Sequence, residues 1–142
     1  MELVETVELR AQPDAVFALV EDLGRYPDWL SIVPRAVRIE GDQPAWMVDL
    51  RGRIGPLSRA KRLRMQRTEH RPPLRVRFER VEPDGRSHSP WVLDAAVAPS
   101  AKGSELTMTL RYGGALWVPM LDRMLRQEIE GSRARLAELL SA

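Results

Sequence analysis

Two consecutive stretches near the end of the chain decide the predicted fold. Residues 104–112 read SELTMTLRY, and every second residue from Leu106 to Tyr112 is apolar or aromatic. Residues 117–141 read WVPMLDRMLRQEIEGSRARLAELLS, and apolar residues recur there at intervals of three and four. A period of two is typical of a half-buried strand, whereas the longer spacing is typical of an amphipathic helix. The chain is therefore predicted to end with a strand followed by one long helix.

The same period of two runs through six earlier segments. They are residues 2–10, 37–40, 46–50, 59–69, 74–79 and 91–97. Residues 13–30 differ, because Pro13 and Asp14 signal a helix start and Gly24 separates two short helical segments. Consecutive strands joined by short turns pair in an antiparallel manner. The prediction is an α+β fold, with a seven-stranded antiparallel curved sheet wrapped around the long C-terminal helix and two short helices between strands 1 and 2.

Composition limits the possible classes of protein. The 142 residues are 44% hydrophobic and 30% charged, which is typical of one soluble globular domain spanning residues 1–142. No basic segment followed by an apolar one opens the chain, so we expect no secretory signal and a cytoplasmic location. The absence of cysteine excludes disulfides and thiolate metal sites, and only His70 and His88 could supply imidazole ligands. We therefore predict no metal and no cofactor.

Several motifs resemble one known superfamily over essentially the whole chain. They are Ala11-Gln12-Pro13-Asp14-Ala15-Val16-Phe17 after the first strand, Asp22-Leu23-Gly24-Arg25-Tyr26-Pro27-Asp28-Trp29, and Ser89-Pro90-Trp91-Val92-Leu93. With the long final helix, this pattern resembles the START-related SRPBCC superfamily, whose helix-grip fold occurs in polyketide cyclases and lipid-transfer proteins. The resemblance implies a cavity between the curved sheet and the C-terminal helix. It does not specify one function, because the superfamily contains carriers, enzymes and a ribosome-associating branch.

The residues expected to line that cavity are those on the apolar faces of the elements. They are Phe17, Tyr26, Trp29, Trp46, Leu63, Met65, Phe78, Trp91, Met108 and Leu110, together with Leu121, Met124 and Leu125 from the helix. Pockets for small molecules are mostly apolar, with a few polar groups in defined positions. Each of these side chains also suits a solid core, since large apolar residues are commonly buried by packing alone.

Arg67 is the candidate polar group of the cavity. Alternate side chains of a strand point to the same face, which is called strand parity here. Arg67 has the same parity as Leu63 and Met65, so an unbroken strand would direct its guanidinium inward. In aromatase/cyclases of the superfamily a pocket arginine on the corresponding strand polarises the substrate, and the resemblance therefore makes Arg67 a candidate catalytic or anion-binding residue. Met65 stands where that cyclase pattern has a serine. The alternative is that Arg67 reaches solvent at the end of its strand.

Three functions are compatible with this sequence. The first is binding of a small hydrophobic ligand, a lipid, quinone or polyketide, by a carrier or sensor. The second is a polyketide cyclase/aromatase or dehydratase. The third is association with a ribosome or RNA, because residues 51–80 hold eleven basic residues against two acids. Six of these, Arg51, Arg53, Arg62, Arg64, Arg75 and Arg77, are predicted on the convex face, which is more simply explained as a solvated surface. No partner protein or oligomeric state follows from the sequence.

Overall fold

The computed structural model describes residues 2–54, 57–113 and 118–141. The elements in chain order are β1 (Glu2–Leu9), α1 (Pro13–Val20), a 3₁₀ helix (Leu23–Asp28), β2 (Arg35–Ile39), β3 (Ala45–Ile54), β4 (Leu57–Arg71), β5 (Arg75–Arg80), β6 (Trp91–Ser100), β7 (Gly103–Tyr112) and α2 (Val118–Ser141). The seven strands form one antiparallel sheet in the order β1-β7-β6-β5-β4-β3-β2. The predicted α+β helix-grip architecture is confirmed.

Short connections explain the strand order. From β2 to β7 each strand pairs with the next one along the chain, whereas β1 closes the other edge by pairing with β7, Glu2 opposite Arg111 and Leu9 opposite Ser104. The alternation of the sequence is visible in β5, where Val76 and Phe78 are both fully buried. Because one face of every strand is apolar, that face must turn towards the helices. The sheet therefore has one solvent-exposed side and one covered side.

The two short helices are shorter than the sequence pattern suggested. The first ends at Val20 instead of continuing to Gly24, because Asp22 adopts an extended backbone and starts the 3₁₀ helix. The Asp22 carboxylate accepts a hydrogen bond from the Gly24 N–H at 2.8 Å. This capping contact satisfies a backbone donor that a continuous helix would have bonded internally.

The long C-terminal helix lies against the covered face of the sheet. Leu125 and Leu136 are 2% and 3% exposed, eleven residues apart on one side of α2, which is the spacing of three helical turns. Among the described residues, no helix combines the length and the apolar character that crossing a membrane requires. The contacts of α2 with β1 and β3 leave a space between helix and sheet, and this space contains the candidate site.

Candidate ligand-binding cavity

An apolar cavity of about 120 Å³ lies between the sheet and α2. Its wall comes from β1, β3, β4, β6 and β7, from the 3₁₀ helix and the segment after it, and from α2. The described wall residues include eight that the sequence suggested: Tyr26, Trp29, Leu63, Met65, Trp91, Met108, Leu110 and Leu125. The structure therefore brings these eight side chains together around one space.

The wall also contains residues that strand parity could have identified. Leu3 and Val7 lie on the apolar face of β1, and Leu93 lies between Trp91 and Ala95 on β6. Leu30 and Ile32 also line the cavity, but they follow the 3₁₀ helix in a segment with no regular period. Their orientation depends on tertiary packing, and no sequence signal indicates it.

Several wall residues are apolar but only partly buried. Val7, Leu30, Leu50, Leu93, Met108, Leu110 and Ile129 pack against the core and retain accessible surface. These residues border the cavity, and protein interiors are otherwise packed as densely as organic crystals. The free space thus lies beside apolar side chains whose contacts are incomplete, which is the condition under which an apolar molecule gains dispersion contacts by entering.

Three buried hydrogen-bond donors of the wall have no acceptor within the described structure, and one of them, Arg133 Nε, belongs to a guanidinium that is ion-paired with Glu5. The indole Nε1 atoms of Trp29 and Trp91 are buried and have no hydrogen-bond partner within the described structure. Leaving such a donor unpaired costs about 1–3 kcal/mol. By contrast, the hydroxyl of Tyr26 donates to the Val20 carbonyl at 2.9 Å, and burial, reinforced by Asp22, raises the pKa of its phenol well above the ordinary value. Tyr26 is therefore a satisfied, neutral part of the wall.

An ion pair borders the cavity between β1 and α2. The guanidinium of Arg133 lies 2.5 Å from the Glu5 carboxylate, and both residues belong to the wall. The neighbouring Ser132 hydroxyl donates to the Ile129 carbonyl at 2.7 Å, so this hydroxyl is already used within the helix. The pair ties α2 to the first strand through opposite charges at the cavity boundary.

Three predicted lining residues pack beside the cavity instead of lining it. Trp46 meets Phe78 edge-on at 5.6 Å between ring centroids, and Tyr26 meets Phe78 edge-on at 6.2 Å. Phe17 stacks on His70 at 5.9 Å. These buried rings are core residues, which is the alternative that the sequence left open for each of them. Leu121 and Met124, the remaining predicted residues, have side chains outside the described part of the structure.

Arg67 lies in a different cleft from the cavity. Its guanidinium donates to the Glu21 carbonyl at 3.0 Å and lies 5.8 Å from the centroid of the Trp46 ring. The cleft is also lined by Asp22, Arg25 and Arg38, and none of its lining residues belongs to the cavity wall. Burial is the main cause that lowers the pKa of Arg67. The sequence suggested a setting near Met65, Phe78 and Trp91, whereas the contacts of the guanidinium lie with α1 and Trp46.

The convex face carries ion pairs at three of the six predicted arginine positions, Arg62, Arg75 and Arg77, and the side chain of Arg53 lies outside the described part of the structure. Arg62 donates to Asp49 at 2.7 Å, and this hydrogen bond lowers the pKa of the Asp49 carboxyl. Arg77 donates to Asp94 at 2.7 Å, while Arg75 and Arg111 lie 3.8 and 3.6 Å from the same carboxylate. Acids of adjacent strands therefore offset the charge of Arg62, Arg75 and Arg77.

Each histidine lies next to one acidic side chain, which is distant in sequence for His70 and four residues away for His88. His70 Nε2 lies 2.9 Å from Glu21 Oε1, and His88 Nε2 lies 2.9 Å from Asp84 Oδ2. Neither histidine belongs to the cavity wall. Among the described residues, no group of three or more histidine and acidic side chains is placed to hold a metal ion.

The comparisons with known proteins identify the family. A curved antiparallel sheet with an apolar cavity beneath its C-terminal helix defines the helix-grip class of folds. Residues 1–141 match the family described as polyketide cyclase / dehydrase and lipid transport, and the chain belongs to this family of the SRPBCC superfamily. No curated protein matches the chain.

Solved structures share the fold at low sequence identity. The protein TTHA0849 from Thermus thermophilus is 18% identical with a TM-score of 0.75, over 97% of this chain and 95% of that one. The AHSA1 protein from Silicibacter pomeroyi is 19% identical with a TM-score of 0.68, over 99% and 98% of the two chains. Protein CV1439 from Chromobacterium violaceum is 17% identical with a TM-score of 0.70, over 99% and 97%. At these identities the likeness concerns the fold alone.

Proposed function

We propose that this chain binds a small hydrophobic ligand in the cavity between the sheet and α2, as a carrier or sensor. The observation that carries the proposal is the apolar wall, whose partly buried residues retain accessible surface beside a space of about 120 Å³. An engineered protein cavity of about 150 Å³ lined by apolar residues binds benzene. A single small ring, or the end of a longer chain, therefore suits the volume of this cavity.

The wall also favours ligands that carry an oxygen acceptor. A ligand carbonyl or hydroxyl oxygen that reaches the unpaired indole N–H groups of Trp29 and Trp91 would accept a hydrogen bond from them. A ligand with no acceptor would leave both donors unpaired and lose this contribution. Lipids, quinones and polyketides all carry such oxygens, and the family description includes both lipid transport and polyketide chemistry.

Binding fits the site better than catalysis does. The candidate catalytic residue Arg67 uses its guanidinium to hold the Glu21 carbonyl and lines a cleft that shares no residue with the cavity wall. The charged residues of the wall, Glu5 and Arg133, pair with each other. Apart from this ion-paired guanidinium, the described wall offers a ligand apolar surfaces and two neutral indole donors, which position a molecule without activating it.

The test begins with native mass spectrometry of the purified protein, which detects a ligand that remains bound. Saturable binding of octanol, followed through tryptophan fluorescence because Trp29 and Trp91 belong to the wall, then gives an affinity for a defined probe. The variant Met108→Trp should fill the cavity and weaken octanol binding at least tenfold. The matched control is Val4→Trp, since Val4 is 50% exposed on β1 and is not a wall residue.

Two results would overturn the proposal. One is the absence of any saturable binding of octanol by a folded wild-type protein. The other is an equal affinity of the wild type and Met108→Trp, because the occupied site would then lie elsewhere. A loss of binding in Val4→Trp as large as that in Met108→Trp would likewise show that the effect does not arise in the cavity.

A further inference from the structure

Two basic side chains lie on the concave face of the sheet near Trp91. Lys61 lies directly opposite Leu50, and two residues before Leu63, so it leaves the same face as these two wall residues. Arg80 ends β5 directly opposite Met65, which is also a wall residue. Both cations therefore project on the covered side of the sheet, unlike the paired arginines of the convex face.

These two residues and Ser89 form a continuous group, here called the basic rim. The Lys61 ammonium lies 5.9 Å from the centroid of the Trp91 ring and 3.3 Å from Ser89 Oγ. The Arg80 guanidinium donates to the carbonyl and to the hydroxyl of Ser89, each at 3.2 Å. Trp91 lines the cavity, so this ring connects the basic rim to the cavity wall, although the three rim residues are not themselves wall residues.

One of the two cations has its charge balanced, and the other does not. Glu82 accepts a hydrogen bond from Arg80 Nε at 3.0 Å and a second from the Arg64 N–H at 3.1 Å. Lys61 forms no ion pair with a carboxylate of the described residues. Burial, followed by repulsion from Arg80, lowers the pKa of its ammonium. The rim thus carries one net positive charge that no protein group neutralises within the described structure.

We propose that the ligand carries an anionic group, such as a carboxylate, which binds at the basic rim beside Lys61 while its apolar part occupies the cavity. This inference rests on the proposed function and adds that the ligand has one charged end and one apolar end. An anion at the rim would neutralise Lys61, and Ser89 could offer its hydroxyl to the same group. The ligand class is then an amphiphilic organic acid, oriented with its charged end at the rim.

The experiment compares three probes with the same alkyl tail: octanoate, octanol and octylamine. At about pH 7 the first is anionic, the second neutral and the third cationic. At low ionic strength, the wild-type protein should bind octanoate about fivefold more tightly than octanol, since a partly exposed ion pair contributes modestly. Octylamine should bind more weakly than octanol. High salt should reduce the preference for octanoate, because it screens a partly exposed pair.

Variants of Lys61 test whether the preference for octanoate over octanol arises at the basic rim. Lys61→Met should abolish the preference for octanoate over octanol and leave octanol binding unchanged, which shows that the cavity is intact. Lys61→Arg should retain the preference. The matched control is Arg62→Met, the next residue along β4, whose guanidinium pairs with Asp49 on the opposite face. This control should behave like the wild type with all three probes.

The outcomes separate this inference from the proposed function. Equal affinities of the wild type for octanoate and octanol would overturn the inference that the ligand is anionic. They would not contradict the proposed binding site in the apolar cavity. An octanoate preference that survives in Lys61→Met would also overturn the role of the rim. Absence of binding for all three probes would instead contradict the proposed function itself.

Discussion

The guanidinium of Arg67 donates a hydrogen bond to the backbone carbonyl of Glu21, 3.0 Å away, and thereby links β4 to the end of α1. Glu21 follows the last residue of α1, where carbonyl groups lack helical partners and carry partial negative charge. A cation is favourable at such a position. Arg67 therefore stabilises the junction of helix and sheet, which is a structural role that explains its charge without a ligand.

The variant Arg67→Ala should lose the hydrogen bond that links β4 to the end of α1. We expect a decrease of about 1 kcal/mol in the free energy of unfolding, because a hydrogen bond from a charged donor is lost but the side chain is partly exposed. Octanol binding to the cavity should not change. Urea denaturation and a fluorescence titration measure the two quantities. Octanol affinity that falls tenfold with unchanged stability would show that Arg67 acts on the cavity after all.

The fold was predictable from the sequence because one face of the sheet is buried. A slip of one residue would reverse every side chain, so an apolar alternation such as Leu106 to Tyr112 specifies both strand and orientation. The ends of elements were less predictable. Strand β4 extends over Leu57–Arg71, beyond the predicted 59–69, because pairing with β3 and β5 continues past its apolar stretch.

Strand parity predicted the strand residues of the site only in part, whereas Tyr26, Trp29 and Leu125 followed from the helical segments. Leu63 and Met65 line the cavity as the alternation suggests, but the same alternation also marked Arg67. The pairing of β4 with β5 changes register between Arg67 and Glu69, and the end of α1 lies close to this point. Parity states which face a side chain leaves, whereas the element that covers that face decides whether it meets a cavity. This second fact depends on tertiary packing.

A substitution on the covered side of α2 tests the packing of the helix. Leu125→Asp should lower the free energy of unfolding by about 3 kcal/mol or more, since Leu125 is 2% exposed and an unpaired carboxylate there is desolvated. Leu136→Asp should have a similar effect at the other end of the contact. Leu139→Asp is the control, because Leu139 is 39% exposed. Equal melting temperatures for all three variants would contradict the docking of α2.

Gly103 is required where the turn between β6 and β7 approaches the chain after β1. Its φ is 142°, and a Cβ atom at this position would lie 2.7 Å from the Ala11 carbonyl oxygen. Gly103→Ala should therefore destabilise the fold by about 3 kcal/mol, through backbone strain and a steric clash. Gly85→Ala isolates the first cause, because Gly85 has a φ of 71° and an added methyl group there would meet no atom within 4 Å. The control should lose about 1 kcal/mol, and an equal loss in the two variants would show that the contact with Ala11 is unimportant.

Glu82 makes the stability of the β5–β6 connection dependent on pH. Burial opposes its ionisation, but hydrogen bonds from the Arg64 N–H and the Arg80 guanidinium outweigh burial and hold the pKa of the carboxyl below its ordinary value of 4.5. A carboxyl with a lowered pKa stabilises the folded state above the pKa of the unfolded chain. This contribution is lost as the pH falls through the folded pKa.

Replacement of Glu82 by glutamine tests this dependence. Glu82→Gln should lower the free energy of unfolding by roughly 1 kcal/mol at neutral pH, because the charge-assisted hydrogen bonds to Arg64 and Arg80 are weakened. The difference from the wild type should shrink as the pH falls from 4.5 through the lowered pKa of the folded carboxyl, below which the wild-type side chain is also neutral. Urea denaturation at about pH 7 and about pH 3 measures both values. The control is Glu105→Gln, because Glu105 is an exposed residue of β7, and this variant should differ little from the wild type at either pH. A destabilisation by Glu82→Gln that is as large in acid as at neutral pH would mean that glutamine disturbs packing and that the ionised carboxylate is not the source of the stability.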